Sequence, residues 1–178
     1  MAAYGINQKQ KGELNSITEY FEPLMEFLLS LAEEEQVILV GHSFGRLCIS
    51  VAMELFPTKI AAAVFDKTPR GAFNLLDSIS QVTPDLTLAL SLLRPFPIFG
   101  DEDLQENTQL TRDNYGIVAK VYIVCEQDKL FKHDFQLFMI ERNPPNDVKV
   151  IAGADHMSMF SKPQELFSYL QEITDTYY

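Results

Sequence analysis

An apolar, β-branched run, Val37-Ile38-Leu39-Val40, leads into the pentapeptide Gly41-His42-Ser43-Phe44-Gly45, and a helix-compatible segment follows. Gly-x-Ser-x-Gly between a buried strand and a helix is the sequence form of a nucleophile elbow, which lifts a serine hydroxyl above the edge of a sheet. The turn is tight, so Gly41 and Gly45 are both expected to be needed for want of a Cβ. The start of the next helix lies beneath the serine and favours developing negative charge. A lone pentapeptide of this kind also occurs in ordinary turns, and its setting is what gives it weight.

A serine nucleophile needs a base within hydrogen-bond reach, and the base needs a carboxylate to fix its tautomer. The chain has three histidines. His42 adjoins Ser43, but a neighbour on so sharp a turn points elsewhere and reads as a packing residue. His133 falls on a helix beyond a strand end and reads as a surface residue. His156 follows a strand end through Gly153 and is the candidate base. Two acids fit the chain order serine, acid, histidine: Asp128, after the third strand, and Asp66, after the second. Asp128 is favoured and Asp66 stays open. Asp155 reads as a loop carboxylate that accepts bonds from nearby backbone amides. No His/Cys/Asp cluster has metal-ligand spacing, and no cofactor is called for.

These residues have to be positioned by regular elements. Ser16, with Glu19 three residues on, starts a helix as a capping box. Ile17, Tyr20, Phe21, Leu24, Leu28 and Leu31 give it one apolar stripe; Pro23 lies inside it, so either the helix kinks there or its regular part starts near Glu22 with Pro23 in the first turn. After the elbow, a helix from about 44 to 55 stops at Pro57. Residues 60–65 read as a second buried strand. The pattern then dissolves to about 83. Thr83-Pro84-Asp85 begins a helix running to Arg94, and residues 95–116 read as a loop or flap. Residues 118–125 form a third strand. A helix over 131–142 should turn Phe131, Phe135, Phe138 and Met139 inward. Residues 148–152 form a fourth strand, and a last helix starts at Ser161. Strands alternating with helices predict a parallel α/β sheet with helices on both faces. Ligands then gather at the carboxyl ends of the strands, which is where Ser43, Asp66, Asp128 and His156 fall.

A chain of 178 residues suits one domain with a real core. Its net charge of −11 speaks against nucleic acid and against an anionic membrane surface. No uncharged apolar stretch is long enough to cross a bilayer. The N-terminus lacks an apolar leader core, so a cytoplasmic protein is expected. Cys48 and Cys125 read as two buried thiols rather than a disulfide.

Several stretches together resemble one family, the plant methylesterase and hydroxynitrile lyase group of the α/β-hydrolases. They are Gly5-Ile6-Asn7, residues 20–27 (YFEPLMEF), 37–45 (VILVGHSFG), 52–57 (AMELFP), 92–95 (LLRP), 121–129 (VYIVCEQDK), 153–157 (GADHM) and 161–166 (SKPQEL). The resemblance covers most of the chain. It implies a carboxylesterase for methyl esters of small plant signals such as salicylate, jasmonate and indole acetate. By resemblance Ser43 is the nucleophile, Asp128 the acid, His156 the base and Phe44 N–H an oxyanion donor. The lyase branch usually keeps a lysine after the catalytic histidine; here that residue is Met157, which points to the esterase branch.

The departures carry expectations of their own. The resemblance implies a partial α/β-hydrolase fold of about four strands over 1–178, with the early strands missing and residues 66–116 as a shortened cap. An apolar sheet edge is then exposed unless a partner, such as a second copy, or the N-terminal segment covers it. The loop that supplies a second oxyanion donor is expected to be absent, a loss of about 10²–10³ in kcat. The alternative reading is therefore an inactive homologue that binds a small ligand or depends on a partner. Arg46 replaces a usual glycine and is expected to crowd the helix–strand contact or to sit near the oxyanion.

Overall fold

The computed structural model describes residues 1–2, 11–66 and 99–178. Among these, four parallel strands form one sheet: β1 (Val37–His42), β2 (Ile60–Asp66), β3 (Ala119–Cys125) and β4 (Asp147–Ile151), in the order β1-β2-β3-β4. The register sets His42 beside Asp66, Asp66 beside Ile123, and Cys125 beside Ile151. All four carboxyl ends therefore open onto one rim. Strand side chains alternate between faces. Leu39, Ala63, Phe65, Tyr122 and Val124 fill the core on one face. Val64, Val121, Ile123 and Ile151 fill it on the other.

Helix α1 (Ile17–Ser30) and α2 (Gly45–Leu55) cover the first face, burying Leu28, Ile49 and Met53 against it. Ser16 caps α1 by accepting from Glu19 N–H, 3.4 Å. The Glu19 carboxylate accepts from Asn15 N–H, 3.0 Å, one residue before the cap. Pro23 lies inside the helix. The far face is covered by α6 (Pro163–Tyr177), through Ile173, Leu166 and Leu170.

Several elements depart from expectation. The 95–116 flap contains a helix, α3 (Asp101–Asn107), whose first turn carries Asp101, Glu102 and Asp103, a charge pattern that suits a helix N-terminus. Asp103 also accepts from Ile17 N–H at the start of α1, 2.7 Å. The segment after α3 is tied down. Glu54 of α2 accepts from Thr111 N–H and hydroxyl, Asn114 Nδ2 and Tyr115 N–H, at 2.7–3.2 Å. Buried Lys120 donates to the carbonyls of Tyr115, Gly116 and Val118, at 2.8–3.4 Å.

Helix α4 (His133–Arg142) is rotated from the expected phase. Phe131, just before it, is buried, but Phe135 and Phe138 are 40% and 45% exposed. Its fully buried residue is Gln136, because three backbone hydrogen bonds hold that amide inward. The last helix is preceded by a separate turn, α5 (Ser158–Ser161); Pro163 cannot donate and so begins α6 afresh. Strand β1 pairs only with β2 among the described residues, and Val40 on it is 48% exposed. The expected 85–94 helix, and most of the expected cap, lie outside the described residues.

Candidate active site

Ser43 follows β1 with φ of 52°, the one non-glycine residue at positive φ among those described. Such backbone costs about 1–3 kcal/mol and is held only where the surroundings dictate it. Here they do. Ser43 N–H extends the β1–β2 ladder by donating to Asp66 O, 3.0 Å, and Arg46 N–H closes the turn onto Ser43 O, 3.2 Å. A Cβ on Gly41 would lie 2.7 Å from Ile49 Cδ1 and 3.0 Å from Arg46 backbone, so that glycine is required. Space does not require Gly45, where a Cβ meets nothing within 4 Å among the described residues. Phe44 caps the N-terminus of α2 without a side-chain hydrogen bond to it. Its ring packs edge-on against Tyr20, 5.8 Å between centroids.

Asp128 and His156 meet. Asp128 Oδ2 accepts from His156 Nδ1, 3.0 Å, and both side chains are buried. Asp128 Oδ1 accepts the N–H groups of Leu130 and Phe131, at 2.8 and 3.0 Å. A carboxylate only accepts, so the proton of the neutral imidazole sits on Nδ1 and the lone pair on Nε2. Three bonds thus hold the acid, and the acid holds the ring in the tautomer a general base requires.

The loops that carry the pair are themselves fixed. Gln136 Oε1 accepts from Cys125 N–H, 3.0 Å, and its Nε2 donates to the carbonyls of Cys125 and Phe131, 2.8 and 2.7 Å. Gly153, at φ of 72°, turns the chain out of β4. Gln127 N–H donates to Ala154 O, 2.9 Å, joining the acid loop to the base loop. Asp155 accepts from Met157 N–H, 2.9 Å, in the expected loop role.

Ser43 Oγ is buried and makes no hydrogen bond, so the hydroxyl is not bonded to His156 in this geometry. Catalytic hydrogen bonds of this kind commonly tighten only in the substrate complex. Asp66, the other candidate acid, is engaged elsewhere: it accepts from Ser158 Oγ, 2.8 Å, and from Cys125 Sγ, 3.7 Å.

His42 is more than a packing residue. Its Nε2 donates to His156 O, 2.9 Å, and the two rings lie 5.1 Å apart. Strand register alone could not reveal this contact, because its partner is a loop carbonyl 114 residues away. Gln136 was missed for a similar reason: nothing local marks a polar residue as the buried one. His133, at the start of α4, does not join the site. Cys48 and Cys125 are free and buried, and burial pushes the Cys48 thiol up to about 12.

Arg46 takes the first of its two expected places, the contact between helix and strands. Its guanidinium lies over the rings of Phe65 and Tyr122, 5.1 and 5.2 Å from their centroids, on the sheet face beneath α2. Burial lowers its pKa, against the raising influence of Tyr122, Tyr115 and Asp66.

Known proteins give this arrangement a context. No family model matches the chain. It is 43% identical to methyl jasmonate esterase 1 of Vitis vinifera, an alignment taking in 99% of this chain and 85% of that protein. The alignment runs over 221 positions against 178 residues here, so the relative has internal segments without a counterpart in this chain. Methylesterase 3 of Arabidopsis thaliana is 33% identical, with 99% of this chain and 84% of the relative covered. Among solved structures, tomato methylketone synthase I complexed with 2-tridecanone matches with a TM-score of 0.91 at 35% identity, covering 100% of this chain and 86% of that one.

Proposed function

The chain belongs to the plant methylesterase family of the α/β-hydrolases, and from that premise we propose that it hydrolyses methyl esters of small plant signals, methyl jasmonate first among them. It is a serine hydrolase acting on esters. Ser43 Oγ attacks the ester carbonyl carbon while its proton passes to His156 Nε2. The tetrahedral oxyanion lies at the start of α2, where Phe44 N–H donates to it. His156 then protonates the departing methoxide, which leaves as methanol with Ser43 acylated. Water follows: His156 takes a proton from it, the hydroxide attacks the acyl carbon, and Ser43 recovers its proton as the acid departs. Asp128 keeps Nδ1 protonated and steadies the imidazolium at each stage.

The observation that carries this reading is the 3.0 Å bond between Asp128 and His156 Nδ1, beside a serine held at positive φ. The test is release of jasmonic acid from methyl jasmonate, compared with methyl salicylate and methyl indole-3-acetate. Wild type should turn over at least one of them, and Ser43→Ala should fall to the uncatalysed rate. Equal rates for the two proteins would sink the reading. A second reading, a homologue that binds such ligands without turning them over, draws on the aligned segments this chain lacks. Saturable binding of methyl jasmonate with no acid released would favour it.

A further inference from the structure

We propose that Asp66 is a positioning residue that fixes the nucleophile turn and the base loop against each other, acting on His156 through Ser158. This rests on the roles given above to Ser43 and His156. No side-chain bond sets the gap between hydroxyl and imidazole, since Ser43 Oγ makes none. Bonds elsewhere in the two segments must set it instead. Asp66 supplies one on each side. Its carbonyl accepts the N–H of Ser43, 3.0 Å, and its carboxylate accepts the hydroxyl of Ser158, 2.8 Å. Ser158 lies two residues beyond His156, at the first position of α5, so its place governs where the base loop lies.

Burial makes the link stiff. Asp66 is 2% exposed and Ser158 fully buried. The second carboxylate oxygen takes the Cys125 thiol at 3.7 Å, which ties the same group to the end of β3. One side chain thus joins the ends of β2 and β3 to the loop after β4. A buried carboxylate with two neutral donors is a poor way to stabilise a fold, and an apolar pair of similar size fills such space at least as well. Its location, between the two segments whose separation catalysis depends on, gives the polar pair a use. His42 Nε2 donates to His156 O, so the base loop is held both at the histidine's own carbonyl and two residues beyond it.

The prediction follows from the cost of misplacement, about 10²-fold for a shift near 1 Å. Ser158→Ala and Asp66→Ala should each lower kcat for methyl ester hydrolysis by about 10–100-fold, with KM within about twofold of wild type. Asp66→Asn, whose amide oxygen can still accept the Ser158 hydroxyl, should recover most of the loss. A second readout is independent of turnover: the downfield proton resonance of His156 Nδ1–H, identified by its absence in His156→Ala. It should shift or broaden in Ser158→Ala and return to the wild-type position in Asp66→Asn. Unchanged kcat and an unchanged resonance in Ser158→Ala would overturn the proposal, as would Asp66→Asn behaving like Asp66→Ala. Should wild type release no acid from any ester, the functional reading fails by that result alone, and the resonance still decides the positioning role. Ser158→Ala removes a single oxygen, so the test does not depend on Asp66→Ala folding.

Discussion

Asp128 serves His156 as an acceptor and nothing else, because its other oxygen is already occupied by the amides of Leu130 and Phe131. Asp128→Asn keeps the shape and spoils that role. If the amide oxygen takes the two backbone N–H groups, its NH₂ faces Nδ1 and forces the proton onto Nε2, the atom that receives it from Ser43 in the proposed mechanism. We expect kcat to fall by about 10³–10⁴ with KM little changed, and thermal stability to move far less. A loss below about tenfold would count against Asp128 as the orienting acid. Arg46 poses the opposite case, a charge with no chemical task. Its Nε and Nη1 are buried and make no hydrogen bond, and the return among the described residues is cation–π contact with Phe65 and Tyr122, beside the longer-range pull of Asp66. That contact is worth about 0.5–2 kcal/mol, against about 1–3 kcal/mol for buried polar groups left unpaired. Arg46→Met keeps the stem and removes the charge, so we expect it to be neutral to stabilising by about 1–2 kcal/mol, or a rise in Tm of up to about 8 °C. The sign of the pKa shift agrees. A cation whose pKa is lowered by burial destabilises the fold wherever it is charged, and that holds throughout the ordinary pH range. The gain from Arg46→Met should therefore be the same at pH 6 and pH 9; a clear loss of Tm at both would show the stacking to be the larger effect.

At the scale of elements, much was legible because it depends on local pattern. The runs that became β1, β2 and β3 are almost wholly apolar, with Lys120 the charged residue near the start of β3, which suits parallel strands covered on both faces, and the elbow follows from Gly41, whose Cβ has no room. What was not legible depends on distant partners. Helix α4 shows why. Its aromatic residues suggested one buried face, yet Phe135 and Phe138 are substantially exposed while Gln136 is fully buried. An amide inside a core is favourable only if all its bonds are met, and the groups that meet them, Cys125 N–H and the carbonyls of Cys125 and Phe131, cannot be known before the fold is. The same holds for His42 on the carbonyl of His156 and for Asp103 at the start of α1. The candidate site was legible in its residue types, since serine, acid and histidine each follow a strand. Which acid meets the histidine was a matter of loop geometry. Gln136 also ties α4 to the end of β3 and to the loop bearing Asp128. Gln136→Leu preserves volume but strands Cys125 N–H without its acceptor. We expect a loss of about 3 kcal/mol in denaturant unfolding, together with lower kcat as the acid loop loosens. Unchanged stability would mean that water or a local shift satisfies the strand end.

For the molecule as a whole, the governing quantity is a net charge of −11 on 178 residues. Acids cluster at the surface, in the exposed turn Glu33-Glu34-Glu35 and in the first turn of α3. Like charges brought together by folding repel, which weakens the compact state. Salt acts on both this repulsion and the attractive pairs, so the sign of its effect depends on which is larger. The attractive side is slight. Lys149 pairs with Asp147 and Glu172 at 3.2 and 3.1 Å, and Lys162 with Glu165 at 3.4 Å, all at positions open to solvent, where such pairs contribute little. The strongest tether of the 108–118 segment, Glu54, is held by neutral donors rather than by a cation. Lys120 is caged by neutral carbonyls. Short hydrogen bonds of these two kinds depend little on ionic strength, whereas the repulsion acts over distances that salt controls. Raising salt from about 0.01 M to about 0.1 M shortens the screening length from about 30 Å to about 10 Å. We therefore expect Tm to rise over that range by about 2–4 °C, equivalent to about 1 kcal/mol, with the Asp128–His156 proton resonance unmoved because that pair is buried. A fall in Tm over the same range would mean that the few ion pairs outweigh the surplus of acid.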